Sequence, residues 1–212
     1  MTDIILEALS QTLIMVFAST IFAVILGFIP AILLTVSAND GLKPNRVLYN
    51  TLDFIVNTLR SFPFIILLVV IIPFTRIIAG KTYGTAAAIV PLTVAAAPFV
   101  ARIIESSLRE VDKGVIEAAR AFGASKAQII FKVMLVEAIP SIMSGITLTI
   151  ISIIGYSAMA GAVGGGGLGQ VAISYGYQRY ETGIMVVTCI ILVVIVQIIQ
   201  VLGNYFYNKL SK

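Results

Sequence analysis

The stretch DKGVIEAARAFGASKAQIIFKVMLVEAIP, residues 112–140, is where charge concentrates in an otherwise oily chain, and its reading decides the fold. Asp112 can cap a short helix through Val115, Ile116, Ala118, Ala119 and Phe122, and Gly123 supplies the left-handed residue that stops it. Ser125, with Gln128 three residues later, makes a capping box, so a second helix is expected from Lys126 through Ile129, Ile130, Val133 and Leu135. The product is an angled knuckle. Arg109, Lys113, Arg120, Lys126 and Lys132 crowd around it, which in a membrane protein places it on the cytoplasmic side.

The rest of the chain is a membrane protein by composition. Of its 212 residues 59% are apolar and 11% charged, and the mean hydropathy is +1.05, whereas soluble domains carry about a quarter of their residues as charges. The length suits one domain, residues 1–212, with five or six helices of roughly 20 residues each and no soluble module. The net charge of +4 follows from the bias toward positive cytoplasmic loops, since no basic patch interleaves with exposed aromatics. There is no histidine, which removes imidazole catalysis and the commonest metal ligand. The single Cys189 lies in an apolar span and makes no internal disulfide. No lysine or arginine precedes the first apolar run, so a cleaved signal peptide is not expected and the first span stays in the mature protein.

Moving outward from the knuckle, residues 8–39 carry no charge and hold the first span, expected over about 11–37. Asp3 and Glu7 precede it, and Lys43 and Arg46 follow, so the N-terminus is expected outside. The second span, about 51–75, must include Arg60, a charge that needs a polar cavity, a partner chain or snorkelling to the headgroups. Pro63 marks a kink beside it. Ala79-Gly80-Lys81-Thr82 looks like the end of a phosphate-binding loop, but Thr75 stands where the first glycine is required, and nucleotide binding is rejected there. An alanine-rich third span, about 83–104, contains Pro91 and Pro98 and ends with Arg102 and Glu105 placed to pair.

Beyond the knuckle, the fourth span covers about 135–160. Ser141, Gly145, Thr149 and Ser152 make a close-packing face on it. The glycine-rich Gly161 to Gly169 then disfavours regular helix, and open backbone at that depth must be buried in protein or line a watery cavity. Tyr175, Tyr177 and Tyr180 fit an interfacial belt. The last span covers about 183–206 and carries Gln197 and Gln200, read as interface packing. On this layout only Arg76, Lys81 and Arg179 of the 14 Lys and Arg residues lie outside, and the C-terminus lies in the cytoplasm. The fold expected is an all-α integral membrane protein with five transmembrane helices and a cytoplasmic helix at about 113–123. Five spans are few for a solitary pathway, so a homodimer around a two-fold axis is the natural closure. An odd number of spans does not divide into an inverted repeat.

Glu117-Ala118-Ala119, three residues, then Gly123 resemble the EAA loop of ABC-importer permeases, with Val136 standing where that pattern has proline. Arg60 through Leu68, Ile72 through Arg76, Ala88 through Thr93, and above all Tyr156-Ser157-Ala158-Met159 leading into the glycine run resemble the permease subunit of methionine-uptake ABC importers. The resemblance implies the type I ABC importer permease fold in a bacterial cytoplasmic membrane. It also implies a homodimer, two ATP-binding subunits that hold the ATP and Mg, and an extracytoplasmic lipoprotein that delivers L-methionine and often D-methionine. No cofactor or metal is expected in this chain, and no nucleic acid. By the same resemblance Glu117, Ala118, Ala119 and Gly123 couple to the ATPase. Ser61, Tyr156, Ser157 and Met159 are candidates for the pathway or gate, and Gly164, Gly165, Gly166 and Gly167 for the mouth that meets the lipoprotein. A permease for another amino acid, and a small carrier or channel working without ATP, stay open at this point; Tyr156 and Met159 can equally be core packing.

Overall fold

A computed structural model describes residues 2–211. The described residues form helices α1 (Thr2–Ser37), α2 (Arg46–Ser61), α3 (Phe64–Val70), α4 (Ile72–Ala79), α5 (Thr85–Arg109), α6 (Lys113–Ala121) and α7 (Lys126–Gln128). A π-helical turn, Ile129–Met134, joins α7 to α8 (Leu135–Ala162), and after the glycine turn come α9 (Gly167–Val171), a second π-helical turn (Ala172–Tyr177) and α10 (Thr182–Leu210).

Four helical stretches, Thr2–Ser37, Thr85–Arg109, Lys126–Ala162 and Thr182–Leu210, are long and apolar enough to cross a membrane, and α2 with α3 makes a fifth if a 101° bend is allowed within one span. At 25 residues α5 is about 37 Å long, more than the hydrocarbon core requires. It is also the centre of the bundle. Leu92, Val100, Ile104 and Leu108 of α5 are fully buried, together with Met15 and Leu34 of α1 and Ile153 of α8. Small residues let the helices close on it: a Cβ at Gly27 would meet the Ala97 carbonyl oxygen at 2.6 Å, and one at Gly145 would collide with the Ile103 side chain. Gly203 of α10 does the same against Thr147 of α8. The remaining outer face of α10, with Val193, Val194 and Val201 exposed, is apolar and suits lipid.

The second span departs most from the expectation of a single kinked helix over 51–75. Pro63, in extended conformation, ends α2 and starts α3, and the chain turns by 101° instead of bending slightly. Two causes are visible. Pro63 supplies no N–H to continue α2, and α2 is itself two-faced, with Asp53 and Asn57 turned toward Arg102 of α5 while Phe54 and Ile55 stay exposed. A second break at Ile71, just ahead of Pro73, leaves the segment in three short pieces.

The two ends of the bundle can be told apart by contacts. Arg109 and Lys113, at the knuckle, pair with Asp40 of the α1–α2 loop, and Tyr207 near the end of α10 lines a cavity with Glu110 and Asp112. At the other end Gln11 of α1 reaches the glycine turn. The knuckle and the last turns of α10 therefore share one end, and the start of α1 lies at the other.

Candidate functional site

The knuckle is built by local hydrogen bonds that the residue types dictate. The Asp112 carboxylate accepts from Gly114 N at 2.6 Å, and Gly123, at φ +79°, turns the chain after α6. Gly123 N donates to Arg120 O and Ala124 N to Ala119 O, closing the helix end. Ser125 and Gln128 then make both bonds of a capping box, Ser125 N to Gln128 Oε1 at 2.8 Å and Gln128 N to Ser125 Oγ at 3.3 Å. Ile116 and Ala119 turn inward against the core, whereas Glu117, Ala118, Arg120, Ala121 and Gly123 are exposed. Phe122 is 92% exposed at the tip. The ring stands out of a charged surface beside a shallow groove that it forms with Gly123, Ala124, Gln128, Lys132 and Val133.

From the knuckle a groove runs up between α5 and α8. Its lower part is a polar mouth of about 630 Å³, lined by Ser106, Ser107, Glu110, Asp112, Glu137, Ser141 and Ser144 among others. Ser107 Oγ donates to Ser141 Oγ at 2.9 Å and Ser141 Oγ to Glu110 Oε2 at 3.1 Å, so the two helices meet there through hydroxyls. Ile103 and Leu148 line this mouth and also the chamber above it, about 120 Å³, which continues through Phe99, Thr149, Ser152 and Tyr156. Tyr156 closes the top, its ring stacked on Phe64 of α3 at 4.8 Å between centroids.

Where α2 packs on α5 lies a charge cluster. Arg102 reaches Asp53 and Glu105, each at 2.6 Å, and Asn57 at 3.0 Å. Glu105 is 2% exposed and also faces Arg109 at 3.6 Å, while Tyr49 donates to it at 3.4 Å. The pair Arg102 and Glu105 is legible from helical spacing; Asp53 and Asn57, from α2, are additions that only the packing reveals. Their signal in the sequence is the repeat of Asp53, Asn57 and Arg60 at helical spacing, a polar stripe.

At the far end, the glycine run folds as a turn with Gly164, Gly166 and Gly167 in the left-handed region. Its backbone is satisfied by side chains of α1: Gly167 N donates to Gln11 Oε1 at 2.8 Å and Leu168 N to Thr12 Oγ1 at 2.9 Å. Gly84 N donates to Gly164 O at 2.8 Å, tying the start of α5 to the same turn. Gly169 packs onto the Ala158 backbone so closely that a Cβ there has no room. The open backbone expected at this depth is thus buried in protein.

The structure brings Tyr156 to the groove, but Ser61 is exposed at the end of α2 and donates to Asn57 O at 2.8 Å. Ser157 is buried and donates to Ile154 O at 2.7 Å, so its hydroxyl proton is turned to its own helix. Met159 is 48% exposed near the end of α8 away from the knuckle. Gly165 and Gly167 are buried and Gly164 and Gly166 half-buried, while Val163 beside them and Tyr177 and Tyr180 of the following segment are exposed. Gln200 donates to Asn204 of its own helix at 3.0 Å.

The family described as "Binding-protein-dependent transport system inner membrane component" matches residues 23–212. The chain is 50% identical over 210 residues to the probable D-methionine transport system permease protein MetI of Vibrio cholerae, covering 99% of this chain and 93% of that one. To the methionine import system permease protein MetP of Bacillus subtilis it is 42% identical over 180 residues, covering 85% and 81%. Its backbone superposes on an inward-facing structure of the MetNI methionine ABC transporter with a TM-score of 0.98 at 45% identity, covering 100% of this chain and 98% of that one. An amino acid ABC transporter solved with histidines shares the fold at a TM-score of 0.81 and 20% identity. A match to the family over all but the first turns of α1, and the same path of backbone from end to end, make this chain a member of the binding-protein-dependent transport system inner membrane components, with the type I ABC importer permease fold.

Proposed function

We propose that the chain is the membrane permease of an ATP-driven importer that carries methionine inward. In this reading it works as a homodimer, with two ATP-binding subunits seated on the two knuckles and a methionine-binding lipoprotein on the opposite side. The observation that carries the proposal is the knuckle itself, which is capped at its helix ends, exposed and continuous through the π-helical turn with α8, a wall of the groove. ATP and Mg belong to the partner subunits. Their closure would push on Glu117, Ala118, Ala119, Phe122 and Gly123, and a capped helix pair passes that push on without bending.

The substrate assignment is supported by the relatives named for methionine transport along nearly the full length of this chain. The groove, open at the knuckle end and closed by Tyr156 and Phe64, fits a state that releases solute inward. In this reading the knuckle and the end of α10 lie in the cytoplasm and the start of α1 outside. The exposed Val163, Tyr177 and Tyr180 around the glycine turn, on the outer end, are the surface offered to the lipoprotein. Tyr156 serves as the gate, and Met159 lies one turn further out on α8.

The test is uptake of radiolabelled methionine by proteoliposomes holding the whole complex, with unlabelled amino acids added in turn. Unlabelled methionine is expected to suppress the signal at concentrations where other amino acids leave it in place. Suppression by another amino acid at lower concentration than methionine would overturn the substrate assignment.

A further inference from the structure

The short helix α9 begins inside the bundle without a cap of its own. Gly166 stands at its cap position and has no side chain to offer, while Gly167 and Leu168, its first residues, are both buried. The first N–H groups of a helix have no partner within it, and buried ones must find another. Here α1 supplies it, from 156 positions earlier in the chain: Gly167 N donates to Gln11 Oε1 at 2.8 Å and Leu168 N to Thr12 Oγ1 at 2.9 Å. Gln11 is itself oriented, because its Nε2 donates to Glu7 Oε1 at 3.1 Å and leaves the amide oxygen facing the turn. Gln170 Oε1 takes Gly166 N at 2.9 Å, so each of these three N–H groups is satisfied by a side chain.

What α1 holds in this way is seated on α8. Gly169 of α9 lies on the backbone of Ala158, and Gly161 of α8 lies on the backbone of Gln170, with no room for a Cβ at either position. The contact with α1 is as close, since a Cβ at Gly167 would meet Thr12 Oγ1 at 2.6 Å. Contacts made without side chains have no rotamer to absorb a shift, so a displacement of α9 is passed to α8. Ala158 follows Tyr156 by two residues, about 200° around a helix. The seat of α9 is therefore behind the face of α8 that carries Tyr156, and in front of that face the ring is stacked on Phe64 at 4.8 Å between centroids. While α9 keeps its place, this end of α8 has no way to back off from Phe64.

We propose that Gln11 and Thr12 are positioning residues for the gate: by capping α9 from α1 they fix the backstop that keeps Tyr156 against Phe64. The inference rests on the import reading above, in which Tyr156 is the gate, and adds to it the part that holds the gate shut. Without the two acceptors the first N–H groups of α9 are left unpaired in the bundle, α9 shifts to satisfy them, and the ring pair loosens.

The experiment uses the complete importer in proteoliposomes loaded with radiolabelled methionine and measures efflux in the absence of nucleotide, when a closed gate retains the solute. Thr12→Val keeps the shape and removes the acceptor, and Gln11→Met keeps the length of a half-buried side chain and removes its oxygen. Each is expected to raise efflux several-fold, and Thr12→Ser, which retains the hydroxyl, is expected to stay at the wild-type rate. Gln11→Met carries the test if Thr12→Val fails to assemble. Wild-type efflux in the deletion variants overturns the proposal, and a lower unfolding temperature with wild-type efflux does so by showing that the bonds serve stability alone. Efflux through Thr12→Ser equal to that through Thr12→Val overturns it as well. ATP-driven uptake by the unaltered importer judges the import reading separately. If that uptake of methionine is absent, the substrate assignment falls by itself, and the same variants are compared for efflux of a labelled mixture of amino acids, where rates equal to wild type overturn the positioning role.

Discussion

Glu105 is the residue on which the knuckle half of the bundle turns. Its carboxylate, 2% exposed, stands between Arg102 and Arg109, and Arg102 in turn holds α2 through Asp53 and Asn57. Removing one member of a buried pair strands its partner, at a cost of roughly 3–5 kcal/mol when the partner has no alternative. Arg102 keeps Asp53, so Glu105→Ala is expected to cost less, on the order of 2 kcal/mol, read as a lower unfolding temperature of the purified protein in detergent. Glu105→Ala with an unchanged unfolding temperature would contradict the role given to this cluster. The pairing within α5 could be read from the three-residue spacing of Arg102 and Glu105, because helix geometry alone makes them neighbours. The arm to Asp53 could not. It joins residues 49 positions apart, and which face α2 turns to α5 depends on the bend at Pro63. The same holds for Arg60, whose charge is plain in the sequence while its seat on Phe99 exists only once α2 and α5 are packed.

Among the elements, the knuckle was legible almost bond for bond, since caps are local: Asp112, Gly123, Ser125 and Gln128 each act within three residues of themselves. The π-helical turn at Ile129–Met134 was not legible, and neither was the angle between α2 and α3. Proline explains where a helix stops but not which way the next one leaves. The knuckle's exposed tip makes its own prediction. Phe122 is 92% exposed and has no packing role in this chain, so Phe122→Ser is expected to leave the fold intact and weaken association with the ATP-binding subunit by more than about tenfold, as for an interface anchor. Co-purification at graded concentrations measures it. Full association of the Phe122→Ser protein would remove the ring from the docking surface.

For the whole molecule, composition and charge asymmetry were enough for a multi-pass membrane protein, because a bilayer leaves few solutions to a chain this apolar. The groove was less accessible, since it is made of ordinary residues, Ile103, Leu148, Thr149 and Ser152, that share a wall only once α5 and α8 are packed. Nothing in one sequence marks which of their faces will meet. As proposed above, the chain is a transmission: the knuckle receives work, α8 carries it, and the groove between α5 and α8 opens or closes in response. A transmission without its engine moves nothing uphill.

The most direct test of that claim is accumulation of radiolabelled methionine against a gradient, in proteoliposomes loaded with this chain and the lipoprotein, with or without the ATP-binding subunit and ATP. Accumulation is predicted only when the ATP-binding subunit and ATP are both present, and it is predicted to vanish in Glu117→Lys. Uphill accumulation by this chain without the ATP-binding subunit, or undiminished accumulation in Glu117→Lys, would contradict the account.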